Sequence, residues 1–557
     1  MTWNEQNHSA SIMDVLEGTV EEWYDQVDGL LKASDFIPGN YEYSINVSYA
    51  NSGEFQEGGQ THVDISCDRF KLISLDNSYI SLEMTIPITV PALTVPANST
   101  SKRFNRFYVG FKNAFDAIDQ YRIYSNSDLI QTQNHANYEG YLQYMALSDV
   151  AKENSELYAT WDKVQSLNED VPGVYVDLSG LASQSSVEIN IPFKLRIPLN
   201  SFLMFANLKW FPSFFGKLTL EIYPSYKNLV ICPVISEHIV PEYVTPDDGD
   251  GFIKASALAD YMGANLPTSK IGSNFFGFRQ IGTDVLAGIK TNRELVTGTF
   301  TCNSSTTKKC HLRLAETVVR MDVYNQVLSR FINQPMLFPI QTIVSKDFSG
   351  EMPTSTGNQL GLTMTNALNH CNSMFIVFKR TNKDKTCFEN PMLDHWQVNI
   401  DGKFFPRETY QTYNDPRNVN LFLDATNFNG NGLFSVPNDI YHSLQPFLNT
   451  RKYTAAGAGD ETKIFTPKDR SNYAIGIPFC EDDTFQAGMH SGGSVQVELR
   501  GSRSNIFPTM YAASNPTAIY VEDCILKLRA VKPSGEAQIA YTHATPEQLL
   551  STAVVAN

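Results

Sequence analysis

The sequence lacks the cysteine patterns of small cross-linked domains, since none of its cysteines forms a CxxC pair. The eight cysteines are scattered at positions 67, 232, 302, 310, 371, 387, 480 and 524. This spacing predicts neither a disulfide framework nor a zinc ribbon, and we interpret the cysteines as buried reduced thiols of an intracellular protein. No apolar run approaches the roughly eighteen residues of a membrane-spanning helix. The first residues also lack the charged and then apolar segments of a secretory signal.

Positive charge is also scarce. The 43 Lys and Arg residues against 59 Asp and Glu residues give a formal net charge of −16. A chain of this charge does not attract phosphate backbones or anionic membranes through its overall field. No Lys/Arg run is long enough for an interaction tail. We therefore expect no sequence-specific nucleic-acid binding.

Residues that could carry catalysis or bind a metal do not form a recognised arrangement. Cys302, Cys310 and His311 supply three of the four ligands of a zinc site, so buried thiols are favoured over a metal site or a disulfide. His370 and Cys371 are neighbours whose side chains point apart on a strand. Acidic clusters at 247–251 and 481–483 miss the spacing of a calcium loop and are interpreted as solvated turns. Glycine-rich pieces such as 457–460 lack a following Lys-Ser/Thr. We predict no catalytic residues, no metal and no cofactor.

Strict alternation of apolar and polar residues is the main feature that is present. It is clearest at 187–199 (VEINIPFKLRIPL), where Pro192 and Pro198 occupy two of the intervening positions. Strand side chains point to opposite faces in turn, so this segment buries one face and wets the other. The same alternation occurs at 41–49, 80–89, 218–222 and 495–499. It predicts an all-β chain of antiparallel sheets packed face to face. Because 557 residues exceed what one core supports, we expect at least two domains.

Candidate strands fall into two runs. The first comprises 41–49, 61–73, 78–90, 104–111, 120–131, 185–199, 217–223, 228–235, 294–302 and 309–315. The second comprises 336–347, 373–379, 395–406, 419–423, 472–478, 493–500 and 517–531. A helical stretch at 318–331, with Met321, Tyr324, Leu328 and Phe331 on one face, separates the two runs. The predicted organisation is an N-terminal arm (1–37), a first sandwich (38–317), a linking helix (318–335), a second sandwich (336–531) and a C-terminal tail (532–557).

Other helices are predicted outside the strands. Met13, Leu16, Val20, Trp23, Val27 and Leu30 form an amphipathic stripe of about five turns at the N-terminus. This helix either folds back on its own domain or reaches a neighbouring subunit. A helical insertion is expected within 137–165, and shorter helices near 438–448 and from Thr545. The stretch 241–292 is expected to be a long excursion between strands.

Two sandwiches in tandem, joined by a short helix, resemble a known family. The chain is similar to the double jelly-roll major capsid proteins of Polinton/Maverick-like DNA viruses and virophages, including adintovirus-type relatives. The likeness lies in 197–203 with 209–220, in 311–340, in 398–406, and in 494–499 with 520–531. It implies two tandem eight-stranded jelly-roll β-sandwiches with helical insertions in the loops and a linking helix.

The resemblance also implies a function. Three chains would form a pseudo-hexagonal capsomer, and capsomers would tile an icosahedral shell around double-stranded DNA, with penton and minor capsid or cement proteins as further partners. The chain would act in the virion without enzymatic activity. Aromatic side chains are enriched in interface cores, so the candidate subunit-interface anchors are Trp23, Phe202, Trp210, Phe211, Phe214, Phe275 and Phe276. Ordinary core packing is the alternative for each.

Three other functions fit an all-β sandwich. A carbohydrate-cleaving enzyme would need two carboxylates about 5–10 Å apart across a cleft, and no acidic residue stands in a recognisable frame. A carbohydrate-binding protein, such as a lectin-like adhesin, is the second alternative, and the absent secretion signal argues against it. A capsid protein of single-stranded DNA viruses is the third, and would use one jelly roll per chain rather than two.

Overall fold

The computed structural model describes the strand-forming parts of the chain. The described residues are 41–49, 55–56, 59–65, 71–91, 102–103, 106–125, 128–146, 173–177, 186–206, 208–212, 217–234, 279–282, 284–289, 295–322, 324–325, 329, 336–353, 357–367, 371–379, 381–388, 390–391, 393–412, 417–418, 473–479, 494–503, 514–529 and 538–542. The predicted N-terminal helix, the helices near 438–448 and from Thr545, and the strand at 419–423 lie outside them.

The first half of the chain is built from antiparallel strands of 2 to 20 residues. They are β1 (Tyr41–Tyr49), β2 (Phe55–Gln56), β3 (Thr61–Ile65), β4 (Lys71–Val90), β5 (Lys102–Arg103), β6 (Arg106–Gly110), β7 (Ile118–Ser125), β8 (Asp128–Gln133), β9 (Gly173–Asp177), β10 (Val187–Pro198), β11 (Trp210–Pro212), β12 (Leu218–Pro224), β13 (Val230–Val234), β14 (Arg279–Gln280), β15 (Asp284–Ile289), β16 (Leu295–Thr299) and β17 (Thr306–Val319). One α-helix, α1 (Ala136–Ala146), follows β8, and short 3-10 helices cover Ala114–Ala117, Leu199–Ser201 and Leu203–Phe205.

The second half repeats this design with fewer additions. Its strands are β18 (Met336–Asp347), β19 (Gln359–Ala367), β20 (Cys371–Val377), β21 (Leu393–Ile400), β22 (Lys403–Tyr410), β23 (Ala474–Pro478), β24 (Ser494–Arg503), β25 (Thr517–Arg529) and β26 (Gln538–Thr542). Between the halves, residues 321–322, 324–325 and 329 are helical.

Both halves share one strand order. The main sheets of the first half are β1-β17-β4-β10 and β3-β12-β7-β8, and those of the second are β18-β25-β20-β23 and β19-β24-β21-β22. If the eight strands of each half are numbered 1 to 8 along the chain, both halves have the orders 1-8-3-6 and 2-7-4-5.

This order identifies the topology of each half. Strands 1 and 8, 2 and 7, 3 and 6, and 4 and 5 pair antiparallel in both halves. Such pairing describes one long ribbon folded at the 4–5 hairpin and wound into two facing sheets, which is a jelly roll. The predicted all-β fold of two tandem eight-stranded jelly rolls is therefore confirmed, and below we refer to the first and second rolls.

Strand β10 shows how the sequence sets its place in the first roll. Ile191, Phe193, Leu195 and Ile197 are buried and alternate with exposed or half-exposed residues. Pro192 and Pro198 have no N–H to donate, so they suit a strand that pairs on one side only. β10 is the edge strand of its sheet and pairs with β4.

The tight turn between β21 and β22 is a second case in which local sequence sets the structure. Asp401 and Gly402 connect the strands, with φ angles of 52° and 83°. A two-residue hairpin with both φ angles positive favours Asp-Gly. The candidate strand at 395–406 is therefore two strands, β21 and β22, joined by this turn.

Several predicted boundaries were wrong. The single strand expected at 120–131 is a hairpin of β7 and β8, and the one expected at 61–73 comprises β3 and the start of β4. The segment predicted to turn helical at Val318 stays in β17 through Val319, because residues 311–319 pair with all of β1. Met321, expected on the same face as Tyr324, is exposed, whereas Tyr324 is buried.

Candidate assembly site: the contact between the two rolls

Two of the predicted interface anchors lie inside the first roll. The side chains of Phe202 and Phe211 are 0% and 1% exposed. The Phe202 ring contacts the rings of Phe115 and Tyr121, with centroids 5.0 and 4.9 Å apart. These two rings therefore have no surface left for a neighbouring subunit, and core packing accounts for them. Trp210 is half-buried and packs against the core. The other predicted anchors, Trp23, Phe214, Phe275 and Phe276, lie outside the described residues.

Helix α1 brings the two rolls together through aromatic rings. Tyr141 lies edge-on to Phe388, with ring centroids 4.7 Å apart, and Tyr138 stacks on the same ring at 6.1 Å. Phe388 is fully buried, although it lies in the segment between β20 and β21. Aromatic pairs in this geometry stabilise by about 0.5–1.5 kcal/mol beyond the burial of their area. The helix is therefore a structural link between the rolls.

Polar contacts run alongside these rings. The Gln133 side-chain amide at the end of β8 donates to the Ile343 carbonyl of β18 at 3.1 Å. The Asn137 amide of α1 donates to the Lys385 carbonyl at 2.8 Å. Within the second roll, Lys379 forms an ion pair with Asp347 at 2.9 Å. The first two of these bonds hold β8 and α1 against the second roll.

Gln280 supplies a second attachment point from the first roll. Its side-chain oxygen accepts hydrogen bonds from the backbone N–H groups of Lys385 and Thr386, at 3.0 and 3.2 Å, and from the Thr386 hydroxyl at 3.4 Å. Gln280 is buried. Because buried donors without an acceptor are costly, this one carbonyl oxygen holds the 384–386 turn in place.

Beneath α1 lies a group of buried polar side chains. Burial raises the pKa of Asp116 to about 8, although Lys112 and Asn113 oppose the shift. Burial also raises the pKa of Glu139 well above its ordinary value, against the hydrogen bonds from the Tyr121 hydroxyl and the Leu203 N–H. Burial therefore favours the neutral form of both carboxyl groups, which lets them sit in the core.

In this contact the first roll contributes its strand 5 and the second roll contributes its strand 1. We call β8 and the α1 residues 137, 138 and 141 the strand-5 face, because β8 is strand 5 of the first roll and α1 follows it. We call β18, residues 379–388 and β26 the strand-1 face of the second roll. Strand β26 lies beside β8, and the Leu203–Phe205 turn lies against β18. Contacts between unlike faces are heterologous, and when repeated they produce rings or filaments.

The described surface carries a few large exposed apolar side chains. Leu129 on β8 and Phe404 on β22 lie on strand 5 of the two rolls, with exposures of 56% and 38%. The others are Met321 and Val344. Because both Leu129 and Phe404 are the second residue of their strand, they occupy matching positions in the two rolls.

The cysteine and acidic residues that were weighed as disulfide or metal sites can now be examined in turn. Cys302, Cys310, Cys371 and Cys387 are buried thiols, and no disulfide joins Cys302 to Cys310. Burial raises the pKa of Cys310 to about 12, which keeps it protonated. Across the described ranges no group of three His, Cys, Asp or Glu side chains could hold a metal ion. The acidic clusters at 247–251 and 481–483 lie outside those ranges.

Membrane insertion by a helix is not supported by the part of the chain that the structure describes. None of its helices is both long enough and apolar enough to cross a bilayer.

Comparison with solved structures finds that the chain is similar to viral capsid structures. It matches the crystal structure of the mavirus major capsid protein at 13% identity and a TM-score of 0.47, over 91% of this chain and 92% of that one. It matches the Sputnik virophage structure at 10% identity and a TM-score of 0.46, over 91% and 90%.

A third match is the Faustovirus major capsid protein, at 10% identity and a TM-score of 0.38, over 88% of this chain and 91% of that one. No protein-family model matches the chain, and no curated protein matches it significantly. Two of these three structures are named as major capsid proteins. The assignment of the fold rests on the strand order of the two rolls.

Most residues of the roll-to-roll contact could not be identified from the sequence. Tyr141 belongs to the predicted helical insertion, but nothing in the sequence marked Phe388 as its partner or Gln280 as part of the contact. Phe388 follows Cys387 in a stretch without periodicity, and Gln280 lies in the long excursion at 241–292. Their partners are more than 100 residues away along the chain, beyond the range of any local pattern.

Proposed function

We propose that this chain is the major capsid protein of a double-stranded DNA virus, with a structural rather than a catalytic role. One observation carries the proposal: a single chain contains two jelly rolls of identical strand order, joined by unlike faces. Jelly rolls are a common architecture of viral capsids. A chain that already uses one roll-to-roll contact has the means to repeat it between copies.

Repetition of the contact leads to a ring. A heterologous contact that closes on itself gives cyclic symmetry, and three chains of two rolls would supply six similar positions. We therefore propose a homotrimer that serves as a pseudo-hexagonal capsomer and tiles an icosahedral shell. The proposed further partners are neighbouring capsomers, a penton protein and minor capsid or cement proteins. This places the protein in the virion.

The charge of the chain fits an enclosing role. A net charge of −16 does not favour condensation of DNA on the protein, since phosphate backbones bind through neutralising cations. The shell would surround the genome without sequence-specific contacts, and other proteins would neutralise the DNA.

The test is the native mass of the purified chain, with negative-stain images of the same sample. We expect a particle of three times the 62.4 kDa chain mass with a hexagonal outline. A protein that stays monomeric at high concentration would contradict the proposal. Glycan binding by that monomer would then favour the carbohydrate-binding alternative.

A further inference from the structure

One face of the first roll collects positive charge, although the whole chain carries a net charge of −16. Strands β10, β4 and β17 lie side by side in its 1-8-3-6 sheet. Lys194 of β10 and Lys309 of β17 both pair with Glu83 of β4, so the three residues form one row on one face of the sheet. Both lysines are exposed, and the Lys309 ammonium lies 4.0 Å from the Glu83 carboxylate. This row therefore holds two cations and one carboxylate.

The neighbouring rows add two arginines and a tyrosine. The Arg196 guanidinium lies 3.9 Å from the centroid of the Tyr79 ring, and that of Arg313 lies 5.5 Å from the same centroid. Arg313 also donates to the Tyr79 hydroxyl at 2.9 Å. Leu195 and Leu312, which alternate with the arginines along their strands, are buried, so the arginines lie on the outer face. We call this surface the basic face, and it comprises Tyr79, Lys194, Arg196, Lys309 and Arg313.

The N-terminal segment of the chain has the opposite charge. Residues 1–40 contain eight Asp or Glu residues and one Lys residue. In the amphipathic helix predicted from the stripe at 13–30, four of the acidic residues each follow a residue of the apolar stripe by one position. They are Asp14, Glu17, Glu21 and Asp28. Their spacings of three, four and seven place them in one row of an α-helix, beside the apolar stripe. Such a helix would present a row of carboxylates next to its apolar surface.

The segment 13–30 is attached close enough to cover the basic face. Strand β1 follows the N-terminal segment and pairs with β17 in the sheet that carries the basic face. Tyr41 at the start of β1 pairs with Val319, and Arg313 lies six residues from Val319 along β17, or about 20 Å away. The ten residues 31–40 span up to about 33–36 Å when they are extended. The connection is therefore long enough for the segment to reach the basic face of its own roll.

We propose that the segment 13–30 docks on the basic face of its own roll, with its row of carboxylates against the lysines and arginines. The apolar stripe would then lie over Tyr79 and over Pro192 and Pro198, which share this face of β10 with Lys194 and Arg196. A tether of this length gives the segment a high local concentration at the surface, whereas an acidic partner protein would have to reach it by diffusion. The N-terminal helix would thus fold back on its own roll, a role that the capsid proposal does not require.

The first test is carbodiimide cross-linking of the full chain, which joins a lysine amine to a carboxylate as an amide, with loss of water and without a spacer. We expect peptides that link Lys194 or Lys309 to acidic residues of 13–30, recovered from a product with the mass of one chain. Lys383, exposed on the second roll, is the control and should give no link to that segment. Links recovered only from products of two chains would overturn docking within one chain, and so would the absence of any link from either lysine.

Hydrogen exchange measures how far the charges hold the segment. Reversal of both lysines, in Lys194→Glu with Lys309→Glu, should speed the exchange of the segment's amides by about tenfold, since each surface ion pair adds a modest stabilisation. Further reversal of two of the acids, in Glu17→Lys with Glu21→Lys, should restore the slow exchange. Arg407→Glu, an exposed charge reversal on β22, is the matched control and should leave the exchange unchanged. Salt at about 1 M should act like the lysine reversal, because it screens exposed charges.

Two further results would decide against the proposal. If the lysine-reversed variant does not fold, Lys194→Gln with Lys309→Gln replaces it, and exchange of 13–30 that stays at the wild-type rate in this variant would overturn the docking. A short DNA duplex that binds the wild type and not the lysine variant, with the exchange of 13–30 unchanged, would assign the basic face to nucleic acid instead.

Discussion

The ring of Phe388, from the second roll, lies edge-on against the ring of Tyr141, from the first, with centroids 4.7 Å apart. The two residues are 247 positions apart in the sequence, and both are buried. Their rings belong to one apolar cluster that extends through both rolls. The rolls are therefore expected to unfold together rather than as independent units.

Replacement of Phe388 by alanine should uncouple the rolls. Truncation of a buried phenylalanine costs about 3–5 kcal/mol, and here the lost contacts lie between the rolls. We expect a single calorimetric transition in the wild type and two transitions in Phe388→Ala. Met321→Ala, at a side chain that is 63% exposed, is the matched control and should keep one transition. One sharp transition in Phe388→Ala would show that the rolls are coupled elsewhere.

Gln280→Leu tests the polar attachment. It removes the oxygen that accepts from two backbone N–H groups and one hydroxyl. Each buried donor left without an acceptor costs about 1–3 kcal/mol, so the free energy of unfolding in urea should fall by about 2–5 kcal/mol. Gln359→Leu, on an exposed position of β19, should change it little. Equal effects of the two changes would mean that the 384–386 turn finds other acceptors.

Asp116 should make stability depend on pH in a defined direction. Its ordinary pKa of 3.8 is raised to about 8 by burial, so between these values the folded state holds a proton that the unfolded state releases. Its contribution to stability is thus complete below about pH 4 and is lost as the pH rises toward 8.

Asp116→Asn keeps a neutral side chain at every pH. The difference in unfolding free energy between this variant and the wild type should grow in favour of the variant from pH 5 to pH 8, by up to about 4 kcal/mol. Denaturant titrations at several pH values measure it. Asp128→Asn, at an exposed position, is the matched control for the loss of a carboxyl group. A difference for Asp116→Asn that stays constant over this pH range would mean that Asp116 is ionised in the folded protein.

The hairpin between β21 and β22 depends on its glycine. Gly402 has a φ of 83°, a conformation that costs a residue with a Cβ about 1–2 kcal/mol. Gly402→Ala should lower the free energy of unfolding by that amount. Gly361→Ala, where a Cβ would meet no atom within 4 Å, should be close to neutral. An unchanged stability in Gly402→Ala would mean that the turn adopts another form.

Sequence periodicity predicted those strands whose formation depends on the pattern of neighbouring residues. Alternation located β1 and β10 to within a residue or two. Strand β19 was missed although Leu360, Leu362 and Met364 alternate along it, because Gly361 and Asn366 weaken the pattern. The split between β7 and β8 was missed because Asn126 and Ser127 were read as part of a strand.

The candidate site was harder to foresee than the strands. Phe202 and Phe211 have the composition of interface residues, but aromatic side chains fill cores as readily as interfaces. Only the three-dimensional structure shows that both rings are buried within the chain itself. Conversely, Gln280 and Phe388 carry no local signal, since their roles arise from partners that the fold brings to them from the other roll.

The pairing of the first strand of each roll with its last strand determines when the roll can finish folding during synthesis. Strand β1 pairs along its length with β17, from Tyr41 with Val319 to Tyr49 with His311, so its partner is synthesised roughly 270 residues later. At a translation rate of about 5–20 residues per second, β1 lacks that partner for about 15–50 s while the chain is on the ribosome. β18 waits for β25 over a shorter stretch, from Met336 to Leu528. An unpaired strand is a template for pairing with another chain, so β1 is open to association with other nascent chains until β17 has been made.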